Sequence, residues 1–245
     1  MKNIFVGIAF VLLAQFSATS QTRKPAPKKP ISSSALKTGA STASTKPAAE
    51  IERLVEISTP YGTMVAKLYN ATPRHRDNFL NLVAEGFYDS LLFHRVIKQF
   101  MIQGGDPTSK NAPAGKMLGT GARAGDRIVA EFNQNFYHKK GALAAARDNN
   151  PTKSSSNCQF YIVDGKTATE PDLEKTKQNN PSFSYSPQQV NVYKRVGGAP
   201  FLDQNYTVFG EVISGLDVID KIALVPVDAN NRPTVDVMMK IRLLN

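Results

Sequence analysis

Cysteine occurs once in the 245 residues, at Cys158, and tryptophan not at all. A single thiol excludes an intrachain disulfide, so any stable domain must rest on its hydrophobic core, which this length permits. Histidine occurs three times, at His75, His94 and His138, far apart and without partners at metal-ligand spacing; no metal site is expected. Acidic residues are absent before Glu50, whereas Lys2, Arg23, Lys24, Lys28, Lys29, Lys37 and Lys46 are basic. Removing those seven from the formal charge of +10 leaves about +3 for residues 50–245, so the basic character belongs mainly to the front of the chain. That distribution gives no sign of specific nucleic-acid readout.

Long apolar runs are also scarce. The one from Ile4 to Phe16 follows Lys2 and precedes the small residues Ala18 and Ser20. It is shorter than the ~20 residues needed to cross a bilayer. The pattern is that of a secretory signal peptide over 1–20, with cleavage after Ser20. No cysteine lies beside that position to carry a lipid, and no stable membrane insertion is expected after cleavage. The chain is therefore expected to be exported, to a periplasm or to the medium. Residues 21–50 are rich in Pro, Ser, Thr, Ala and Lys and hold no aromatic. Such a segment buries too little apolar surface to offset its ordering entropy and reads as a disordered linker. Residues 51–245 form the expected domain.

Within that domain, "ERLVEISTPYGTMVAKLYN" alternates on both sides of Thr59-Pro60-Tyr61-Gly62, a hairpin pattern. A helix follows, with Thr72 as N-cap, Pro73 at its first position, one stripe of Phe79, Leu82, Val83 and Phe87, and Gly86 as its stop. Strands are expected at Leu91–Ile97, Phe100–Gly104, Ile128–Phe132, Gly141–Ala146, Gln159–Val163 and Tyr206–Ile213. A short helix spans Leu216–Ala223, and a last strand carries Val235, Val237, Met239, Ile241 and Leu243 on one face. This succession, without regular crossover helices, points to a mainly β fold: a closed antiparallel barrel with helical caps. Residues 164–200 make an unusually long connection between two strands. Within it, Ser186 and Pro187 open a helix that ends at Gly197-Gly198.

The stretch "FHRVIKQFMIQGGDPT", Phe93 to Thr108, is a strand pattern ending in a Gly-Gly-Asp-Pro turn, yet it carries Arg95 and Gln103. A half-buried guanidinium needs a partner. The turn lacks the Lys-Ser/Thr and the following helix of a phosphate loop.

With "GALAAAR", "NCQFYIV" and "FLDQNYTVFGEVISGLDVIDKI" following in order, the domain resembles the cyclophilins, peptidyl-prolyl cis-trans isomerases. The resemblance implies an eight-stranded antiparallel β-barrel capped by two α-helices, with the 164–200 segment as a partly helical insertion. It implies a proline pocket on the outer barrel surface and proline-containing polypeptide segments as partners. A monomer is expected, with no cofactor. By resemblance, Arg95 is the catalytic arginine, Phe100 and Met101 line the pocket, and Gln103 orients a carbonyl. Ala146 and Arg147 match the backbone position that holds substrate, and Gln159 matches a second glutamine. Tyr161 stands at the pocket floor where eukaryotic members have Phe. Phe201 stands at a rim position often held by Trp, followed by Leu202, and Tyr206 replaces a rim His. These departures count against tight cyclosporin binding. Residues 173–198 have no counterpart in the minimal pattern, and one reading gives them a partner-docking role.

Rotation about an Xaa-Pro amide meets a barrier of ~18–20 kcal/mol because resonance gives the C–N bond double-bond character. Half-way through, the resonance is lost and the prolyl nitrogen regains a lone pair. A catalyst needs a donor aimed at that nitrogen, an anchor for the preceding carbonyl and a dry pocket for the ring, with no nucleophile or metal. No proton is transferred, so His94 is expected at the substrate rim or in packing, and His75 and His138 at the surface. Arg95 together with Gln103 favours an enzyme assisting the folding of exported proteins. The alternative is a non-catalytic module that binds proline segments.

Overall fold

The computed structural model describes residues 51–244; the expected signal peptide at 1–20 and linker at 21–50 lie outside the described residues. The described chain is mainly β. Strands β1 (Leu54–Thr59) and β2 (Gly62–Leu68) form the first hairpin. Its turn is held by Thr59, whose hydroxyl donates to Gly62 O at 2.9 Å and accepts from Tyr61 N–H at 3.1 Å. Helix α1 (Pro73–Ala84) is followed by β3 (Leu91–Ile97), β4 (Met101–Gly104), β5 (Ala142–Ala145) and β6 (Phe160–Val163). Helices α2 (Glu170–Asn179) and α3 (Pro187–Arg195) lie within the long connection of residues 164–200. Then come β7 (Val208–Ser214), α4 (Leu216–Ala223) and β8 (Met238–Leu244). None of the described helices is long and apolar enough to cross a membrane.

The strands form a strongly curled antiparallel sheet in the order β1-β2-β7-β5-β6-β4-β3-β8. β8 bonds to β1 along most of its length and meets β3 through Leu91↔Met239 and Leu92↔Met238. Alternation sends one set of side chains inward: Ile57, Met64, Ile102, Leu143, Phe160 and Ile162 are all fully or almost fully buried. α1 adds Phe79 and Leu82 to this core, and α4 adds Val218, Ile219 and Ile222. The opposite face is apolar in one region too. Met101, Ala144, Tyr161, Val163, Leu202 and Val208 form a second buried cluster on the outside of β4, β5, β6 and β7. A sheet apolar on both faces needs cover on both.

Several expected elements changed. Residues 128–132 form no strand; they contribute an isolated bridge, Ile128↔Ser155, and Val129 and Phe132 are exposed. Apolar alternation was present, but no neighbouring strand lies there to pair with it. Val235 precedes β8 and is exposed, as is Leu243, so only Val237, Met239 and Ile241 of the expected face are buried. Thr72 occupies the N-cap position of α1, but its hydroxyl donates to Tyr69 O instead of capping. The cap is Glu131, whose carboxylate accepts from Arg74 N–H at 3.1 Å and His75 N–H at 3.0 Å. A carboxylate at a helix N-terminus meets both the unsatisfied donors and the positive end of the helix dipole. Four α-helices are present among the described residues, one more than expected. The additional one, α2, has an apolar side reduced to Leu173 and Thr176, too sparse for a periodic signal. Its marker is Thr169 with Asp172, a capping pair in which the carboxylate accepts from the Thr169 N–H at 2.8 Å and its hydroxyl at 2.7 Å. α3 begins as expected, with Ser186 and Gln189 in a reciprocal capping box.

The Gly-Gly-Asp-Pro turn is a structural hub. Gly105 has φ +87°, and a Cβ there would stand 2.2 Å from Cys158 O. Fully buried Asp106 accepts from Thr108 N–H and Thr108 Oγ1, each at 2.7 Å, and from Gly119 N–H and Gly121 N–H at 2.5 and 3.3 Å. Burial alone would raise this carboxyl, but those four donors win and hold it below the usual carboxylate range. Asp106→Ala takes the shared acceptor from three part-buried backbone N–H groups and is expected to cost about 2–3 kcal/mol, read from urea unfolding at pH 7. In the wild type this contribution is present above the unfolded-chain pKa of about 3.9 and is lost as pH falls through the lowered folded value. An Asp106→Ala protein of wild-type stability would contradict the hub.

Candidate active site

β3 and β4 pair as Arg95↔Gln103, but between Phe93 and Arg95 the register slips, leaving His94 as the extra residue of a bulge. A bulge re-aims side chains. Here it lets Phe93 and Val96 both enter the core while Arg95 emerges beside Gln103 on the outer face. Arg95 is half-buried, and burial lowers its pKa, although a guanidinium remains charged throughout the physiological range. Its Nη1 donates to Gln103 Oε1 at 3.1 Å and lies 3.9 Å from Met101 Sδ. Among the described residues no carboxylate forms an ion pair with it.

The orientation of Gln103 follows from a ladder of amides. Gln159 Nε2 donates to the carbonyls of Gly119 and Gly121 at 3.0 and 2.7 Å. Its Oε1 must therefore face Gln103, accepting from Nε2 at 3.0 Å. That leaves Gln103 Oε1 as the atom turned to Arg95. Two main-chain carbonyls, which can only accept, thus determine which end of each amide points where. Only one of the five guanidinium N–H groups is required by this contact.

Arg95 and Gln103 border a notch of about 100 Å³ whose apolar surfaces are Phe100, Met101, Tyr161 and Leu202. Ala146, Arg147 and Tyr206 complete it. Arg147 lays its guanidinium over the Tyr206 ring at 4.5 Å and donates from Nε to Asn205 O at 3.0 Å, which stiffens that wall. The Ala146 main chain is tied down, its N–H donating to Gln159 O at 2.9 Å and its C=O accepting from Ser156 N–H at 2.8 Å. A larger groove of about 460 Å³ adjoins the notch and shares Gln103, Ala146 and Arg147 with it. Its far wall is the 119–127 segment, with Arg127 in a bidentate pair with Asp148 at 2.7 and 2.6 Å. No cluster of three or more His, Cys, Asp or Glu able to hold a metal occurs among the described residues.

The sequence profile of the family described as "Cyclophilin type peptidyl-prolyl cis-trans isomerase/CLD" matches residues 54–242. The chain belongs to the cyclophilin-type peptidyl-prolyl isomerases. A Staphylococcus aureus protein named as a peptidyl-prolyl cis-trans isomerase is 34% identical over 187 residues, covering 76% of this chain and 88% of its own. A Streptococcus pyogenes protein named as a bifunctional phosphatase/peptidyl-prolyl cis-trans isomerase is 34% identical over 191 residues, which are 76% of this chain and 37% of that one. The crystal structure of a Cryptosporidium parvum cyclophilin superposes with a TM-score of 0.56 at 25% identity, covering 79% of this chain and 98% of that one. A second structure of the parasite cyclophilin, determined in the presence of the dipeptide Ala-Pro, superposes with a TM-score of 0.53 at 24% identity, covering 78% of this chain and 99% of that one.

Most residues assigned from the sequence converge in this cyclophilin's notch: Arg95, Phe100, Met101, Gln103, Ala146, Arg147, Tyr161, Leu202 and Tyr206. Three do not line it. Gln159 stands behind Gln103 in the amide ladder. Phe201 is 59% exposed, its ring 5.5 Å from that of Phe100. His94, expected at the rim or in packing, takes the second place: it lies beneath the surface at 2% exposure and not at the rim, because the bulge turns it away from Arg95. The two other histidines are likewise not at the surface. His75 is 2% exposed between Glu131 and Ser155, and His138 is 0% exposed between Asp203 and Tyr161. Sequence reasoning missed Glu131, Asp203 and the 119–127 wall, which have partners such as His75, His138 and Gln159 lying 56, 65 and 38–40 residues away.

Among the described residues neither ring nitrogen of His94 has a hydrogen-bond partner of good geometry; the Asp106 charge and the Leu92 main chain favour its cation, but more weakly than burial opposes it. Burial dominates, and the ring's pKa falls to about 4. Unfolded, the same ring titrates near 6.5. Below that value the unfolded chain takes up a proton that the native ring refuses, so stability is lost as pH falls from about 6.5 towards 4. The loss from this ring is about 3 kcal/mol. Burial lowers His75 as well, adding to the slope with the same sign. Urea midpoints at pH 7 and pH 4 are expected to converge in His94→Phe relative to wild type; an unchanged difference would refute the assignment.

Proposed function

We propose that this isomerase turns over Xaa-Pro bonds by presenting Arg95 to the prolyl nitrogen while the ring sits in the notch of Phe100, Met101, Tyr161 and Leu202. The observation that carries the reading is the Arg95 guanidinium: held by a neutral amide, unpaired with any carboxylate among the described residues, and bordering a small apolar notch. A carboxylate partner would have spent its field locally. A glutamine orients it and leaves the charge available. As the imide twists, the nitrogen lone pair that forms gains a donor it lacked in the planar state, and this difference lowers the barrier. Each 1.4 kcal/mol so gained is a tenfold rate. The low dielectric of the apolar floor strengthens the contact. Gln103 serves first by orienting Arg95 and second by offering its amide to the carbonyl before the proline, with Arg147 on the facing wall. Phe201 and Tyr206 flank the bound segment, and Gln159 acts through Gln103. The Ala-Pro dipeptide named with the parasite cyclophilin supports proline-containing segments as the partners.

The substrates we infer are exported polypeptides whose native Xaa-Pro isomers form slowly. The charged start, apolar run and small residues of positions 1–20 support export. The pairing of β8 with both β1 and β3 supports an eight-stranded barrel closed on itself, with the notch on its outside.

Arg95→Ala is expected to lower kcat/KM on a proline peptide by on the order of 100-fold, with the fold retained by circular dichroism. Arg95→Lys is not expected to restore it, because an ammonium lacks the planar fork that fits both glutamine and imide. Wild-type turnover by Arg95→Ala would remove Arg95 from the mechanism; wild-type protein that binds proline peptides without accelerating exchange would favour the binding module. For export, N-terminal sequencing of the protein recovered from the envelope or medium should begin at Gln21. An uncleaved chain in the cytosol would overturn that part.

A further inference from the structure

Behind the notch lies a buried polar chain that the isomerisation chemistry does not use. Asp203 is 0% exposed and accepts four hydrogen bonds. On Oδ1 it takes His138 N–H at 2.8 Å and His138 Nδ1 at 2.7 Å. On Oδ2 it takes Tyr185 Oη–H at 2.8 Å and Tyr193 Oη–H at 2.6 Å. Since Nδ1 donates to the carboxylate, His138 is left with Nε2 to meet Tyr161 Oη, at 3.0 Å, with the two rings stacked 15° from parallel. Tyr161 is the notch floor and pairs with Gln103 across β6 and β4. Tyr185 and Tyr193 belong to the insertion. One continuous set of hydrogen bonds therefore joins the insertion to the floor of the proline site.

The main chain ties His138 to the end of the 164–200 segment. Ala199 N–H donates to His138 O at 2.8 Å, and Gly198 bridges to both Lys139 and Lys166. The fit is tight enough that a Cβ on Gly198 would stand 2.2 Å from His138 O and 2.6 Å from the Tyr193 ring. Stability alone gives little reason for such a network, since buried charged groups are often replaced by apolar ones at no loss. What a fully satisfied network supplies is a single geometry. We propose that Asp203 and His138 are positioning residues that fix the Tyr161 ring, so that the insertion, through Tyr185 and Tyr193, sets how tightly the proline is gripped.

The ring contacts proline in the planar and twisted states alike, so loosening it weakens binding more than the chemical step. Steady-state exchange kinetics on a proline peptide with the full chain test this. Asp203→Asn cannot accept all four donors, and Tyr161→Phe cuts the last link while keeping an aromatic floor. Each is expected to raise KM by roughly 5- to 10-fold with kcat within about twofold, and the double variant to be no worse than either single one, because both break the same chain. If Asp203→Asn does not fold, Tyr193→Phe in the wild-type and Tyr161→Phe backgrounds gives the same cycle. KM effects that multiply, or a lowered melting temperature with unchanged KM, would overturn the proposal. The proposal rests on the notch being the proline site. A failure there shows as wild-type turnover by Arg95→Ala, whereas a failure here leaves the Arg95 result intact.

Discussion

The contact between Arg95 and Gln103 is the one on which the site depends, and its direction comes from elsewhere in the chain. The carbonyls of Gly119 and Gly121 orient Gln159, Gln159 orients Gln103, and Gln103 turns its oxygen to the guanidinium. Those glycines are in turn held by Asp106, in the turn just beyond the strand that carries Gln103. The loop is therefore anchored to the same strand whose side chain it orients. Every member of the ladder between the carbonyls and the cation is a neutral amide, so no ionisation within it competes for the charge of Arg95.

The bulge at His94 is the second requirement. Without the extra residue, strict alternation would put Phe93 and Arg95 on one face and strand either an aromatic in water or a guanidinium in the core. The slip resolves the conflict at the cost of burying a ring whose nitrogens have no hydrogen-bond partner of good geometry among the described residues. An unsatisfied buried group is expensive and is typical of positions where function overrides local preference. Stability in mild acid is where that cost becomes visible.

The legible part of this chain was the part carried by contiguous residues. Phe93 to Thr108 alone supplied Arg95, Phe100, Met101 and Gln103, and the hairpin, α1, α3 and α4 followed from alternation, proline and glycine. Contacts between distant positions were not legible. Glu131 caps α1 from 56 residues beyond His75, so a segment that reads as strand is there for its carboxylate. His138 and His75 were expected at the surface, yet both are buried. Their burial depends on Asp203 and Glu131, which nothing in the local sequence marks. α2 escaped because its helix is set by a capping pair and two buried side chains, with no apolar stripe.

The sheet buries one of its faces in the core and carries the notch on the other, with neighbours such as Ile102 and Gln103, or Phe160 and Tyr161, answering to different demands. Mutational drift on the inner register is judged by cohesion, and at the notch positions of the outer register by ligand preference as well. Such a division leaves room for the outer face to acquire new recognition in small steps while the scaffold stays as it was.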